Sequence, residues 1–156
     1  MKRHPHLQPL SRQHHNGLLM ALLLKKGIAK NASIEEMNHF ISLNWEEDLK
    51  QHFESEETIL LPALAGSSFD LQLISRLKEE HATIRSMVAK AASSLSSKDD
   101  IIAFHTLLDA HIRFEEKIFF PQAETVLSEE KLYKIGEALE EDLTKNCLQY
   151  PVKFWE

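Results

Sequence analysis

One block of sequence occurs twice in this chain of 156 residues, and it limits the possible folds more than any other feature. Residues 52–62 align without gaps on residues 111–121. His52 falls on His111, Glu56 and Glu57 on Glu115 and Glu116, Ile59 on Ile118, Leu60-Leu61 on Phe119-Phe120, and Pro62 on Pro121. In each copy a His and a Glu stand four residues apart, which puts them about 40° apart around an α-helix and about 6 Å apart along it. The chain therefore reads as two copies of one helical hairpin. Each copy carries the block on its second helix and a further His on its first, His14 or His15 in one and His81 in the other.

Start and stop signals place the helices. Ser11 is read as the N-cap of a first helix over about residues 12–26, with Gly27 near its end. Ser33-Ile34-Glu35-Glu36 is a capping box that opens a second helix, about 34–64. A Gly66-Ser67-Ser68 loop leads to a third helix over about 69–95, and a serine-rich break at 93–99 leads to a fourth over about 99–125. Ser128 caps a shorter fifth helix ending near 144, and the tail, with Pro151, Phe154 and Trp155, is expected to pack back on the rest. Four long helices with short loops predict an all-α, up-down-up-down four-helix bundle with a short additional C-terminal helix. One domain is expected over 1–156, with its core bundle at about 10–125 and the C-terminal helix and tail at about 128–156. Four Gly and five Pro are too few for a turn-rich all-β fold.

Charge and composition remove other classes. With 18 Lys and Arg against 24 Asp and Glu and no local basic patch, a nucleic-acid partner is excluded. The longest apolar run, residues 18–24, is too short to span a bilayer, so no membrane partner is expected. The start of the chain lacks the apolar region of a signal peptide, and the lone Cys147 leaves no internal disulfide; both fit a cytoplasmic location. Cys147 itself is read as an inert thiol.

The apolar stripes locate the chemistry. On the third helix Ile74, Leu77, His81, Ile84, Val88, Ala91 and Leu95 follow one face, and His81 is its one polar member. Ile101, Phe104, Leu108, His111, Glu115 and Ile118 form the stripe of the fourth helix; Ile41, Trp45, Leu49, His52, Glu56, Ile59 and Ala63 form that of the second. The polar residues fall mid-helix and are expected to meet at one level of the core. Four imidazoles and two carboxylates buried without partners would cost a few kcal/mol each, about 1–3 for a neutral group and more for a charge, and a metal cluster removes that cost. His14, His15, His52, Glu56, His81, His111 and Glu115 are thus the candidate metal-binding residues. One of His14 and His15 is expected to serve, with His15 favoured because Leu18 and Leu22 follow it at the spacing by which Ile84 and Val88 follow His81. His105 and His39 lie off the core stripes, and His4 and His6 precede the first helix and are expected in solvent. Glu57, Glu80 and Glu116 are expected to face solvent beside the candidate residues.

A His early in the first helix, His52-x-x-x-Glu56-Glu57 with Pro62, His81, and His111-x-x-x-Glu115-Glu116 with Pro121 together resemble the hemerythrin-like family, also called the HHE cation-binding domain. The opening Leu10-Ser11-Arg12-Gln13-His14-His15 is similar to a bacterial branch of it. The resemblance covers about residues 10–125 and implies a four-helix bundle around a non-haem di-iron centre, two iron ions bridged by oxo or hydroxo. It implies terminal imidazoles from His52, His81, His111 and one of His14 and His15, with Glu56 and Glu115 as bridging carboxylates. The family's oxygen carriers have a second His four residues after the third-helix His, where this chain has Arg85, and an Asp five residues after the fourth-helix His, where it has Glu116. The implied site has fewer imidazoles and a more open coordination sphere. The expected function is binding or sensing of a small diatomic ligand, O2 or NO, or iron handling; the alternative is a di-iron redox enzyme of oxidase, peroxidase or NO reductase type. No protein partner is legible.

Overall fold

Side-chain caps start four of the five helices, at Ser33 and Ser128 where the sequence proposes them and at Asp70 and Ser97 where it names none, while the helix ends and the phases within them differ from the sequence reading. The computed structural model describes residues 2–139 and 147–156, and regular structure among these is entirely helical. A 3-10 turn at Pro5–Leu7 leads into α1 (Gln8–Ala29). Helix α2 spans 34–64; it is α-helical at Ile34–Asn44, Lys50–Ser55 and Leu61–Leu64 and π-helical at Trp45–Leu49 and Glu56–Leu60. Helix α3 is Leu71–Ala92. Helix α4 spans 98–126, with a π-helical turn at Glu115–Phe119 between Lys98–Phe114 and Phe120–Val126. Helix α5 is Glu129–Ala138, with Leu139 extended after it; residues 140–144 of the expected fifth helix lie outside the described residues.

Ser33 Oγ accepts the Glu36 N–H at 3.2 Å, and Asp70 Oδ1 accepts that of Gln72 at 2.9 Å. At the start of α4 a full capping box forms, Ser97 Oγ accepting from Asp100 N and Asp100 Oδ2 from Ser97 N. Ser11 is not a cap. Helix α1 begins three residues before it, with Pro9 in the first turn, where the missing N–H has no intrahelical partner to lose. Gly27 is not the stop either. The helix continues to Ala29, and the chain turns at Asn31, whose φ of 53° is the left-handed conformation that ends helices. Helix α3 stops at Ala92 and turns through Ser94 (φ 58°), so Leu95, expected in the core, is 68% exposed.

The π-turns explain the other departures. A π-turn inserts one residue, which rotates everything beyond it by about 100°. The predicted stripes hold up to Glu56 and Glu115, the four-residue steps from Ile41 to Trp45 to Leu49 already absorbing the first π-turn of α2, and slip by one residue after them. Leu60 and Leu64 are buried where Ile59 and Ala63 were expected, and Phe119 is fully buried while Ile118 is 41% exposed. Both slips fall in the repeated block. Pro62 and Pro121, which lack an N–H to continue the four-residue ladder, follow directly on these two wider turns, in which Leu61 N–H bonds Glu56 O and Phe120 N–H bonds Glu115 O.

Helix α1 packs along α4, α2 along α3, and α3 against α4, as a four-helix bundle requires. The core forms two apolar clusters. One holds Met20, Leu24, Phe40, Phe53, Ile84 and Phe104; the other holds Leu7, Leu10, Leu60, Leu77, Phe119, Phe120 and, from α5, Leu132 and Ile135. Along each of α1 to α4 the buried His and Glu residues lie where one cluster gives way to the other. The tail docks on the first cluster through Cys147, Tyr150, Phe154 and Trp155. Gly27 makes room for it, because a Cβ there would lie 2.7 Å from Phe154 Cδ1 and 2.9 Å from Met37 Sδ.

Gly27→Ala is accordingly expected to destabilise the protein by about 1 kcal/mol, since overpacking of about 1–3 kcal/mol outweighs a helix-propensity gain of about 1 kcal/mol. Urea unfolding measures the loss, and tryptophan emission should shift to the red as Trp155 gains water. An unchanged midpoint would mean that the Phe154 ring moves aside freely.

Candidate metal centre

Six buried side chains converge from the four bundle helices. His14, His52, Glu56 and Glu115 each place one nitrogen or carboxylate oxygen within 4.8 Å of the others, and so do Glu56, His81, His111 and Glu115. The two groups share both carboxylates. Glu56 reaches both sides, with Oε2 3.4 Å from His52 Nε2 and 3.7 Å from His14 Nε2, and Oε1 3.3 Å from His81 Nε2. Glu115 Oε1 lies 3.1 Å from both His14 Nε2 and His111 Nε2. All six residues are at most 3% exposed.

The outer nitrogen of each ring is fixed. Nδ1–H of His14 donates to Glu116 at 2.6 Å, that of His81 to Glu57 at 2.6 Å, that of His111 to Glu80 at 2.7 Å, and that of His52 to the Gln13 carbonyl at 2.7 Å. With the proton held at Nδ1, the Nε2 lone pair faces the cluster. Phe53 stacks on His81 at 3.9 Å between centroids, and Phe120 lies parallel to His14 at 5.3 Å, so both rings are also oriented by packing.

The inward atoms are left over. His52 Nε2, His81 Nε2, His111 Nε2, both Glu56 oxygens and Glu115 Oε2 are buried without a hydrogen-bond partner. Orphaned groups of this kind are rare in folded proteins, and here they all point at one another. A cation held by each of the two groups would satisfy the whole set. Imidazole suits the later first-row transition metals, and a carboxylate with two free oxygens can span two ions, so the donor set fits the metals expected from the sequence.

Charge supports the same reading. Burial disfavours the His111 imidazolium, but the Glu115 and Glu80 carboxylates outweigh it and raise the group to about 9. For His14, burial is likewise outweighed by Glu115, Glu116 and Glu56, which raise it well above the usual value. Burial raises Glu56, yet the closely placed His52, Glu115 and His14 side chains hold that carboxyl well below the ordinary range. The cluster without metal thus keeps protons that a cation must displace. Because the folded values of His14 and His111 are raised, their contribution to metal-free stability is complete below about 6.5, the unfolded value, and that of His111 is lost as pH rises through about 9. The melting temperature of chelator-treated protein is expected to fall between pH 6.5 and 9.5, while metal affinity, which needs neutral imidazoles, rises over the same interval. A metal-free melting temperature that climbs with pH would contradict the pairing.

The structure corrects several expectations. His15, favoured from its spacing, is exposed on a groove between α1 and α4 with Leu18, Leu22 and His105; the face of α1 that enters the core carries Leu10, His14, Gly17 and Met20 instead. Glu57, Glu80 and Glu116 do not simply face solvent but hold three of the four rings. The recurrence of Glu57 and Glu116 in both copies of the block was the available signal. Gln13 had none. His4 and His6 are half-buried against α5, His4 beside Glu129 at 3.2 Å and His6 edge-on to Tyr133. His39 is exposed and bonds the Tyr150 hydroxyl. Arg85 grips Glu57 with both nitrogens, at 2.7 and 2.9 Å.

Comparison with known proteins adds one match: a family model, the hemerythrin HHE cation binding domain, covers residues 7–123, all four bundle helices nearly to the end of α4. No curated protein and no solved structure matches the chain. Among the described residues no helix is long and apolar enough to cross a membrane.

Proposed function

This chain belongs to the hemerythrin HHE cation-binding domain family, and from that premise we propose that its His/Glu cluster is a non-haem di-iron centre that binds or senses a small ligand, O2 or NO, or handles iron. The observation that carries the reading is the pair of four-residue donor groups sharing Glu56 and Glu115. His14 and His52 would hold one iron, His81 and His111 the other, and the two carboxylates both. Iron bound there supplies a redox-active centre that exchanges electrons with a diatomic ligand.

The rest is the work of this chain's own side chains. The Nδ1 hydrogen bonds hold the rings in place, so binding requires little rearrangement. Apolar clusters above and below keep bulk water from the donors. Glu57, Glu80 and Glu116 are partly exposed, and each touches a buried imidazole, which offers protons a route between solvent and the cluster.

Elemental analysis of freshly purified protein, with an optical spectrum before and after dithionite, tests the proposal. Two iron per chain and a visible band that bleaches on reduction are the expected results. Protein that stays folded, holds no metal and takes up no added ferrous iron would overturn it. Exposure of the reduced protein to O2 or NO then distinguishes binding from repeated turnover, the latter making the chain a di-iron redox enzyme.

A further inference from the structure

We propose that the two metal positions are unequal, that the position held by His14 and His52 is the labile one, and that Gln13 makes it so. The inference rests on the two-metal reading above and concerns how firmly each side of the cluster holds its ion.

Three of the four imidazoles are backed in the same way, by a carboxylate that is itself held by an arginine. His81 donates to Glu57, which Arg85 grips at 2.7 and 2.9 Å. His111 donates to Glu80, which receives Arg76 Nε at 3.1 Å. His14 donates to Glu116, which receives Arg3 at 3.1 Å. The fourth, His52, donates at 2.7 Å to the neutral side-chain amide of Gln13. A carboxylate draws the Nδ1 proton toward itself and leaves Nε2 a stronger donor to a cation, and a neutral amide oxygen does this less. The two kinds of backing are not evenly distributed. On the Glu56, His81, His111 and Glu115 side both rings have carboxylate partners; on the His14, His52, Glu56 and Glu115 side only one has. The shared carboxylates serve both sides, so the difference falls on the imidazoles.

Gln13 is therefore a positioning residue that acts on the metal through His52. Glu80, which backs His111, the match of His52 in the repeated block, shows what a stronger partner looks like, and Gln13→Glu supplies that partner with almost no change in shape.

The test is release of ferrous iron from anaerobically loaded protein to an excess of a colorimetric chelator, followed by absorbance. Wild type is expected to release its two ions in two phases of equal amplitude. Gln13→Glu should slow the fast phase by about 10-fold or more, the lower end of the effect of hydrogen-bond partners of metal ligands, and leave the slow phase alone. Gln13→Leu should quicken the fast phase, and Glu80→Gln should quicken the slow phase only. Circular dichroism confirms that each variant is folded before release is read. A single phase in wild type, or a Gln13→Glu effect confined to the slow phase or missing, overturns the inference while leaving the two-metal reading in place. Failure of wild type to load two ions overturns both.

Discussion

Glu56→Ala is expected to empty both metal positions at once. Its carboxylate belongs to both donor groups, with one oxygen 3.3 Å from His81 Nε2 and the other 3.4 Å from His52 Nε2. On the proposed two-metal reading, removing it would take one donor from each position, so the loss of affinity should exceed the about 10–100-fold that follows loss of an outer hydrogen bond. His52→Ala is the matched control, because His52 enters only one of the two groups. Metal content by elemental analysis should fall to near zero for Glu56→Ala and to one ion per chain for His52→Ala. If both variants lost a single ion, Glu56 would not span the two positions.

Stripping the metal should cost the protein much of its stability. Six buried atoms then have no hydrogen-bond partner, at about 1–3 kcal/mol each where nothing relaxes. Total stabilities are of the same order, about 5–15 kcal/mol, so the metal-free bundle must recover part of that cost by keeping protons on His14 and His111 beside the carboxylates. A ligand free at about 1,000 times its Kd stabilises by about 4 kcal/mol. At about 2–4 °C per kcal/mol for a chain this long, loss of one such ion should lower Tm by about 8–16 °C and loss of both by more. Calorimetry with and without a chelator measures it, and the gap should widen toward pH 9, where the metal-free form loses its imidazolium contribution. An unchanged Tm would show that the cluster closes on itself as a hydrogen-bond network and that metal does not support the fold.

These expectations draw on two kinds of information. The types of donor and their common level in the bundle were legible in the sequence. His52 with Glu56 and His111 with Glu115 need only the four-residue helical spacing, and His81 stands out as the one polar residue on an apolar stripe. The prolines of the repeated block were legible too, but the π-turns before them were not. The π-turns at Glu56–Leu60 and Glu115–Phe119 shift each following stripe by one residue, which buries Phe119 in place of Ile118. A constant step of 100° per residue does not anticipate an inserted residue, even where a proline marks the place.

By itself, then, the sequence determined an all-helical bundle, its repeated block, the caps at Ser33 and Ser128 and a polar layer of imidazole and carboxylate, because each is written in residue type and short helical spacing. Tertiary structure decided that His14 rather than His15 enters that layer, because the choice depends on how α1 is rotated against α2 and α4, and adjacent residues differ by about 100° around a helix. It also decided the outer partners. Glu57, Glu80, Glu116 and Gln13 reach rings on other helices, between 24 and 102 residues away, and no local pattern records which side chain will arrive at a given Nδ1. The difference between three carboxylates and one amide exists only once the helices are packed, because a hydrogen bond is made by distance and direction, and sequence spacing carries neither across a helix interface.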